Sequence, residues 1–443
     1  MLEMHVGLAT VLMFFLLFIL LATGLPVAFV LGSVTVLFTF LLWGPSGFNI
    51  IVSRTFSSMQ GFVLLAIGLF VLMAKILANS GIAERLYEVM HMWMGHIRGG
   101  LAIGTIFICA IFAAMCGISG AATVTLGLIA IPAMVKYRYD LRLAMGSVQG
   151  GGALGILIPP SAPMIIFGLL GNVSVGKLFA AGLLPGILLS VIFMVYIYIR
   201  ALFNPYIAPA VPKNERYSLR KKVNASKSLL LPMALVIGVL GSIFGGIATP
   251  GEAAAVGAFG SLVCVIINKR FSWKLLKDVS HETLGLTVMI MWIMMAASAF
   301  SGLYNGIGAP EMVNDIISGL KINRWLIMAI MQLILMFLGC FLEPTSIMFI
   351  TVPIFIPIIE LLGFDAIWFG AIFTMNMEMS YLTPPFGFNL FYMRGIVSDE
   401  VPMMDIYRSA IPFVMLQALG MIIIMIFPKI ALYIPHLIFN HPM

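Results

Sequence analysis

The 443 residues are 62% hydrophobic and 9% charged, with a mean hydropathy of +1.12, a balance that excludes the soluble classes and fits a polytopic α-helical membrane protein. The formal charge of +7 comes from Lys and Arg placed mostly between apolar runs, so it reports topology in the lipid bilayer rather than a nucleic-acid partner. Cys109, Cys116, Cys264 and Cys340 all lie within apolar runs without CxxC spacing, which suggests neither a disulfide framework nor a zinc site.

The first apolar run, VGLATVLMFFLLFILLATGLP, follows Glu3 rather than a basic segment and lacks a small-x-small cleavage site, so it is a retained span. Spans are predicted near 4–22, 26–43 and 61–78. The next segment, GIAERLYEVMHMWMGHIRGG, has the mixed faces of a helix lying at the membrane interface. A helical hairpin at 101–135, a broken span at 141–170 and a span at 183–200 complete the first half. The longest polar stretch, 200–228, separates it from spans at 229–247, 251–268 and 283–300. Residues 302–325 are too polar to cross; a second hairpin at 326–360, a second broken span at 366–394 and a last span at 411–428 follow.

With each hairpin entering and leaving on one side, the polar loop shares a face with 79–99, 136–142, 269–282 and 394–408. Those segments hold 18 of the 24 Lys and Arg residues, which makes that face cytoplasmic and puts both termini outside. Arg54, Lys177, Lys321, Arg324 and Lys429 are on the other face; Lys75 falls in a span, near its cytoplasmic end. The two halves therefore cross the membrane in opposite senses.

A shift of 225 residues superposes Gly81-Ile82 on Gly306-Ile307, Ile131-Pro132 on Ile356-Pro357, Asp140 on Asp365, and Leu157-x-Pro159-Pro160 on Leu382-x-Pro384-Pro385. This is the signature of an inverted repeat, and matched Gly- or Pro-interrupted spans mark a transporter's midplane site. A proline in a helix interior removes a hydrogen bond, and the freed carbonyls must then line protein or an aqueous cavity. Such carbonyls suit a hard cation such as Na⁺; the N–H groups of the helix that restarts suit a carboxylate. Hydroxyls gather in the same places: Ser119, Thr123 and Ser161 in one half, Thr345, Ser346, Ser380 and Thr383 in the other. The breaks and tips contain no Lys or Arg, so an anionic substrate has helix ends, hydroxyls and a bound cation to meet its charge.

Bland readings compete with these. A proline in a membrane helix commonly makes only a kink, and Gly151-x₃-Gly155 suits close helix packing. The pairing of two such spans, each behind a polar-tipped hairpin, favours the site. Glu343 and Glu378 are acids at membrane depth and candidates for function, with a structural acid bonded to a backbone N–H as the alternative. Glu252 reads as a helix N-terminal acid rather than a ligand. Gly150-x-Gly152-x-x-Gly155 matches a dinucleotide fingerprint but no strand precedes it. Gly117-Ile118-Ser119-Gly120 matches the GxSG of intramembrane proteases, but all six histidines lie in termini, interfacial segments or loops. The chain is therefore read as a non-enzyme.

GLPVAFVLG, GIAERL, GISGAATVTLGLIAIPAM, YDLRLAMGSV, LGILIPPSAPMIIFG, LFAAGLLPG, ATPGEAAAVGA and SYLTPPFGFNLFYMRG together resemble the large membrane subunit of the tripartite ATP-independent periplasmic (TRAP) transporters, the DctM-like branch of the ion transporter superfamily. The resemblance implies an elevator. Two hairpins and two broken helices, within 101–182 and 326–410, slide against a scaffold made of 1–100, 183–325 and 411–443. It also implies Na⁺ as coupling ion, a small carboxylate as substrate, a separate four-helix small membrane subunit and a periplasmic solute-binding protein. The family's Na⁺ region maps to Ser119, Gly120, Gly152, Gly155, Pro159, Pro344, Thr345, Ser380, Thr383, Pro384 and Gly387. Its substrate contacts map to Ser119, Ser161, Glu343, Thr345, Ser346, Thr383 and Asn389. One departure is TPGEAAA, where a second Thr is expected before Glu252. The rival readings are a stand-alone anion or drug carrier of the same inverted-repeat type and a channel.

Overall fold

The computed structural model describes residues 5–61, 63–319 and 322–442, and every regular element within them is a helix. The predicted start of the first span at residue 4, and Lys321 of the charge count, lie outside the described residues. The first half comprises α1 (Val6–Ala22), α2 (Val27–Trp43), α3 (Phe48–Met59), α4 (Val63–Ala78), α5 (Ile82–Met94), α6 (Gly100–Cys116), α7 (Ser119–Lys136), α8 (Leu141–Ala153), α9 (Ala162–Leu170) and α10 (Val175–Phe203). After α11 (Leu219–Ser226) come α12 (Leu230–Phe244), α13 (Pro250–Ile267), α14 (Trp273–Gly306), α15 (Ala309–Gly319), α16 (Arg324–Gly339), α17 (Pro344–Leu361), α18 (Ala366–Ser380), α19 (Phe388–Ile396), α20 (Met403–Ile426) and α21 (Lys429–Phe439). Among the described residues seven helical stretches are long and apolar enough to cross a bilayer, or eight if the bent α3–α4 pair is one span.

Six helical stretches differ from the sequence reading, one of them α20, which starts at Met403 rather than near 411. Helix α3 occupies what hydropathy leaves as a connection, because FNIIVSRTFSSM mixes polar and apolar residues and gains its place by packing on α14. Helix α10 starts at Val175 rather than near 183, capped by the Ser174 hydroxyl on Lys177 N. Helix α14 starts at Trp273 rather than near 283, because Ser272 caps it and its polar first turns are good helix formers. Short helices α11 and α21 stand in segments read as loop or tail.

The matched aspartates of the two halves do one job. Asp140 Oδ1 accepts from Leu143 N at 2.9 Å and caps α8; Asp365 Oδ1 accepts from Ile367 N and Trp368 N at 2.8 Å and caps α18. Glu252 is the helix N-terminal acid expected of it, in a complete capping box. Its Oε2 accepts from Thr249 N at 2.8 Å, and Glu252 N donates to Thr249 Oγ1 at 3.3 Å. Thr249→Ala is expected to lower stability by about 0.5–2 kcal/mol, read as a lower thermal midpoint in detergent. An unchanged midpoint would show that neighbouring helices, not the cap, fix this helix start.

Contacts between the halves come in swapped pairs. Helix α4 packs on α13 and α14 on α2; α7 lies against α19 and α17 against α9; α8 meets α20 and α18 meets α10. Aromatic rings fill the crossings, with Phe167 of α9 5.4 Å from Phe373 of α18 and Phe193 of α10 5.2 Å from Phe413 of α20. Glycines set the approach of α8 to α20: a Cβ at Gly146 or Gly150 would overlap Ser409 or Phe413. The core is thus continuous through both halves rather than divided between them.

Candidate functional site

Each half carries one helix-to-helix tip and one interrupted helix. At the first tip α6 ends at Cys116, Gly117 takes a left-handed φ of 62°, Ile118 is extended, and α7 starts at Ser119. The first break opens as α8 tightens into a 3₁₀ turn at Leu154–Ile156 and closes where α9 begins at Ala162. Ser161 spans it, because its hydroxyl donates to the Ile156 carbonyl and accepts from Met164 N. At the second tip α16 gives way after Gly339 and α17 starts at Pro344, with Glu343 as the residue before it. The second break lies between Ser380 and Phe388, closed by Asn389 N on Tyr381 O at 3.0 Å and Gly387 N on Thr383 O at 3.1 Å. Both Pro-Pro bonds, Pro159–Pro160 and Pro384–Pro385, are cis.

The first tip and first break form one close-packed unit. A Cβ at Gly152 would overlap Thr123 Oγ1, one at Gly155 would sit 3.1 Å from Ile118 C, and one at Gly117 would overlap the Pro160 carbonyl. Ala162 N donates to Gly117 O at 3.4 Å. This unit is joined to the other half by a buried bond: Ser119 Oγ donates to Asn389 Oδ1 at 3.0 Å. Asn389 Nδ2 in turn donates to Gln149 O at 3.3 Å, and Gln149 Nε2 to Ser409 Oγ at 3.4 Å. Ser119 is the first residue of α7 and Asn389 the second of α19, so two helix N-termini meet here, with the start of α9 alongside. Positive dipole ends are thereby gathered without a basic side chain.

The predicted residues divide accordingly. Ser119, Gly120, Gly152, Gly155 and Asn389 come together; a Cβ at Gly120 would lie 2.7 Å from the Tyr392 ring, beside Asn389 on α19. Pro159 and Ser161 lie within the first break, both buried. In the second half Thr345 Oγ1 donates to Glu343 Oε1 at 3.3 Å. Ser380 and Thr383 turn their hydroxyls back onto Asn376 O and Met379 O, at 3.1 and 2.8 Å. Their oxygens keep lone pairs free for a ligand. Pro384 and Gly387 complete that break, and Pro344 opens α17 at the tip. Glu343 and Ser346 face a cavity of about 450 Å³ that they share with Pro26, Phe29, Trp292 and Phe341.

Three neighbours are absent from the carried-over set. Thr123 Oγ1 and Gln149 Oε1 are buried oxygens without a hydrogen-bond partner beside the first unit, and Asn376 Oδ1 is another beside the second break. Buried polar atoms are nearly always satisfied, so orphaned oxygens at helix breaks fit a cation whose ligands are hydroxyl, amide and carbonyl oxygen. The signal for Gln149 and Asn376 was an amide side chain inside an otherwise apolar broken span. Ser119 is committed to an amide, which cannot act as a general base; the GxSG motif here builds a tip.

An all-helical, multi-pass chain whose helix ends and uncharged oxygens meet inside an apolar core has the build of a membrane transporter. The chain belongs to the family of the DctM component of tripartite ATP-independent periplasmic transporters, whose model matches residues 14–430. It is 35% identical over 399 residues to the C4-dicarboxylate TRAP transporter large permease protein DctM of Pseudomonas aeruginosa, covering 90% of this chain and 92% of that one. Against the protein of the same name from Vibrio cholerae it is 32% identical over 453 positions, covering 97% and 98%. Among solved structures it resembles in fold the YdaH transporter of Alcanivorax borkumensis, with a TM-score of 0.61 at 16% identity over 92% of this chain and 97% of that one. Members of the family are permeases that work with a small membrane subunit and a periplasmic binding protein.

Proposed function

We propose that this chain is the permease of a Na⁺-coupled secondary uptake system that moves a small organic-acid anion across the bacterial inner membrane. A periplasmic solute-binding protein delivers the substrate, and a separate four-helix membrane subunit completes the assembly. The observation that carries the reading is the Ser119–Asn389 junction, where the first tip and the second break supply helix N-termini to one buried place. Orphaned Thr123 Oγ1 beside Gly152 supports a cation in the same unit. Two relatives are named for C4-dicarboxylates, which makes succinate-like diacids the first substrates to try.

Alternating access is of the elevator type. The contacts of α7 with α19 and of α17 with α9 bind 101–182 and 326–410 into one interlocked body, which supports its moving as a unit against the remaining helices. The concentration of Lys and Arg on one face supports both termini being periplasmic.

Uptake into proteoliposomes holding both membrane subunits is expected to require an inward Na⁺ gradient and the loaded binding protein. Transport without the binding protein would make the chain a stand-alone carrier, and transport driven by a proton gradient alone would replace the cation. Ser119→Ala and Thr345→Ala are each expected to raise the Na⁺ concentration for half-maximal uptake several-fold. Unchanged Na⁺ dependence in both would remove the tips from the site.

A further inference from the structure

Glu378 on α18 is the one acid in the fully buried class among the described residues, and nothing above uses it. Its carboxyl has a single partner: Oε1 accepts from Gln417 Nε2 of α20 at 3.1 Å. Its Oε2 and the Oε1 of the same Gln417 are both buried and without a partner. Two acceptors left unsatisfied on adjoining side chains cannot satisfy one another, because neither holds a hydrogen to give.

The surroundings supply no counter-charge. Helix α18 packs on α9, α10, α16, α17, α20 and α21. Helix α9 has no titratable residue, and Arg324 of α16 and Glu360 of α17 lie near the ends of those helices. Arg408, the titratable residue of α20 nearest Gln417 in sequence, is about two and a half turns away. Lys177 and Arg200 of α10, and Lys429 and His436 of α21, are also in the first or last turns of their helices, and the Gln417 amide is the carboxyl's hydrogen-bond partner. An ionised, unpaired carboxylate in such a place is strongly disfavoured. A Na⁺ ion needs several oxygen ligands, and of the pair's three oxygens two are without a partner.

We infer that Glu378 is a proton-binding site. The carboxylate takes one proton from water onto Oε2, its charge goes from −1 to zero, and the new O–H donates to Gln417 Oε1. One proton thus satisfies both orphaned oxygens and closes an acid–amide ring across the α18–α20 contact. The consequence for transport rests on the function proposed above. Residues 366–394 belong to the moving half and 411–428 to the scaffold, so sliding parts Glu378 from Gln417. A neutral acid can cross the apolar face between them and a carboxylate cannot, so the proton gates the movement.

Infrared difference spectra of the purified full chain, recorded in H₂O and D₂O, read the proton directly. The wild type is expected to show a deuterium-sensitive carbonyl band of a protonated carboxylic acid that Glu378→Gln removes. Gln417→Leu is expected to keep that band and shift it to higher frequency, because the acid loses its hydrogen bonds. A Glu378→Gln spectrum that retains every such band overturns the inference, as does a carboxylate band at Glu378 that responds to Na⁺ and not to pH. In proteoliposomes, wild-type uptake is expected to fall several-fold from neutral to alkaline pH, where the proton is lost, while Glu378→Gln, permanently neutral, stays level. A band removed by Glu378→Gln together with a flat wild-type pH profile would sink the gating role and leave the protonation standing. Failure of uptake under every gradient would count against the proposed function alone.

Discussion

Gly117→Ala is expected to be far more damaging than the same change at Gly24, although both glycines hold a left-handed backbone. At Gly24, with φ +81°, nothing lies within 4 Å of an added Cβ, so the substitution meets only the backbone penalty of about 1–2 kcal/mol. At Gly117, with φ +62°, the Cβ would also overlap the carbonyl oxygen of Pro160, and Ser161 Cα stands 3.6 Å away. The residue after that carbonyl, Ser161, is held by its hydroxyl's bonds to the Ile156 carbonyl and Met164 N, so turning the carbonyl aside disturbs the break. Either α6 and α7 separate or the break itself deforms. The expected result is a drop in thermal midpoint for Gly117→Ala at least twice that for Gly24→Ala, with uptake lost in the first and retained in the second. Equal drops would mean that the tip and break are not pressed together as described, and the first unit of the proposed site would lose its geometry.

The two breaks were legible from sequence because proline and glycine report backbone irregularity directly, whatever the tertiary structure. The equivalence of Asp140 and Asp365 was legible as a match; that both are helix caps emerged from their contacts with Leu143 N, Ile367 N and Trp368 N. Hydropathy placed most spans to within a few residues, but it records composition rather than helix length. It therefore missed the polar first turns of α14 and α20, the early start of α10 and the mixed faces of α3. What sequence could not supply was partnership across the halves. Ser119 and Asn389 lie 270 residues apart, and their 225-residue counterparts, Pro344 and Met164, form no comparable bond. Side-chain partners are set by packing of α7 on α19, a relation that neither periodicity nor composition encodes. The same holds for Glu378: its depth was visible in the sequence, but Gln417 as its neighbour was not.

Asn389→Leu is expected to reduce the initial rate of uptake by about tenfold or more, and the reason is the number of groups the amide serves. Asn389 is fully buried, its Oδ1 accepts from Ser119 Oγ and its Nδ2 donates to Gln149 O. Leucine fills a similar volume and offers neither function, so the buried Ser119 hydroxyl loses its partner, at about 1–3 kcal/mol, and the Gln149 carbonyl of α8 loses a second donor. A loss of 1.4 kcal/mol is already a factor of ten. If that loss fell on the folded state alone, the thermal midpoint would fall and the rate per folded molecule would hold. If the junction forms part of the transport site, the rate per folded molecule falls as well. Ser119→Ala separates the bond from the residues that make it. In the wild type it leaves Asn389 Oδ1 unpaired; in the Asn389→Leu background it removes the orphaned hydroxyl and should add little further loss. The cycle of the two substitutions is therefore expected to show a coupling of about 0.5–3 kcal/mol, in the range of residues in direct contact. Strict additivity of the two losses would mean that the first tip and the second break act separately, and the shared site would have to be abandoned.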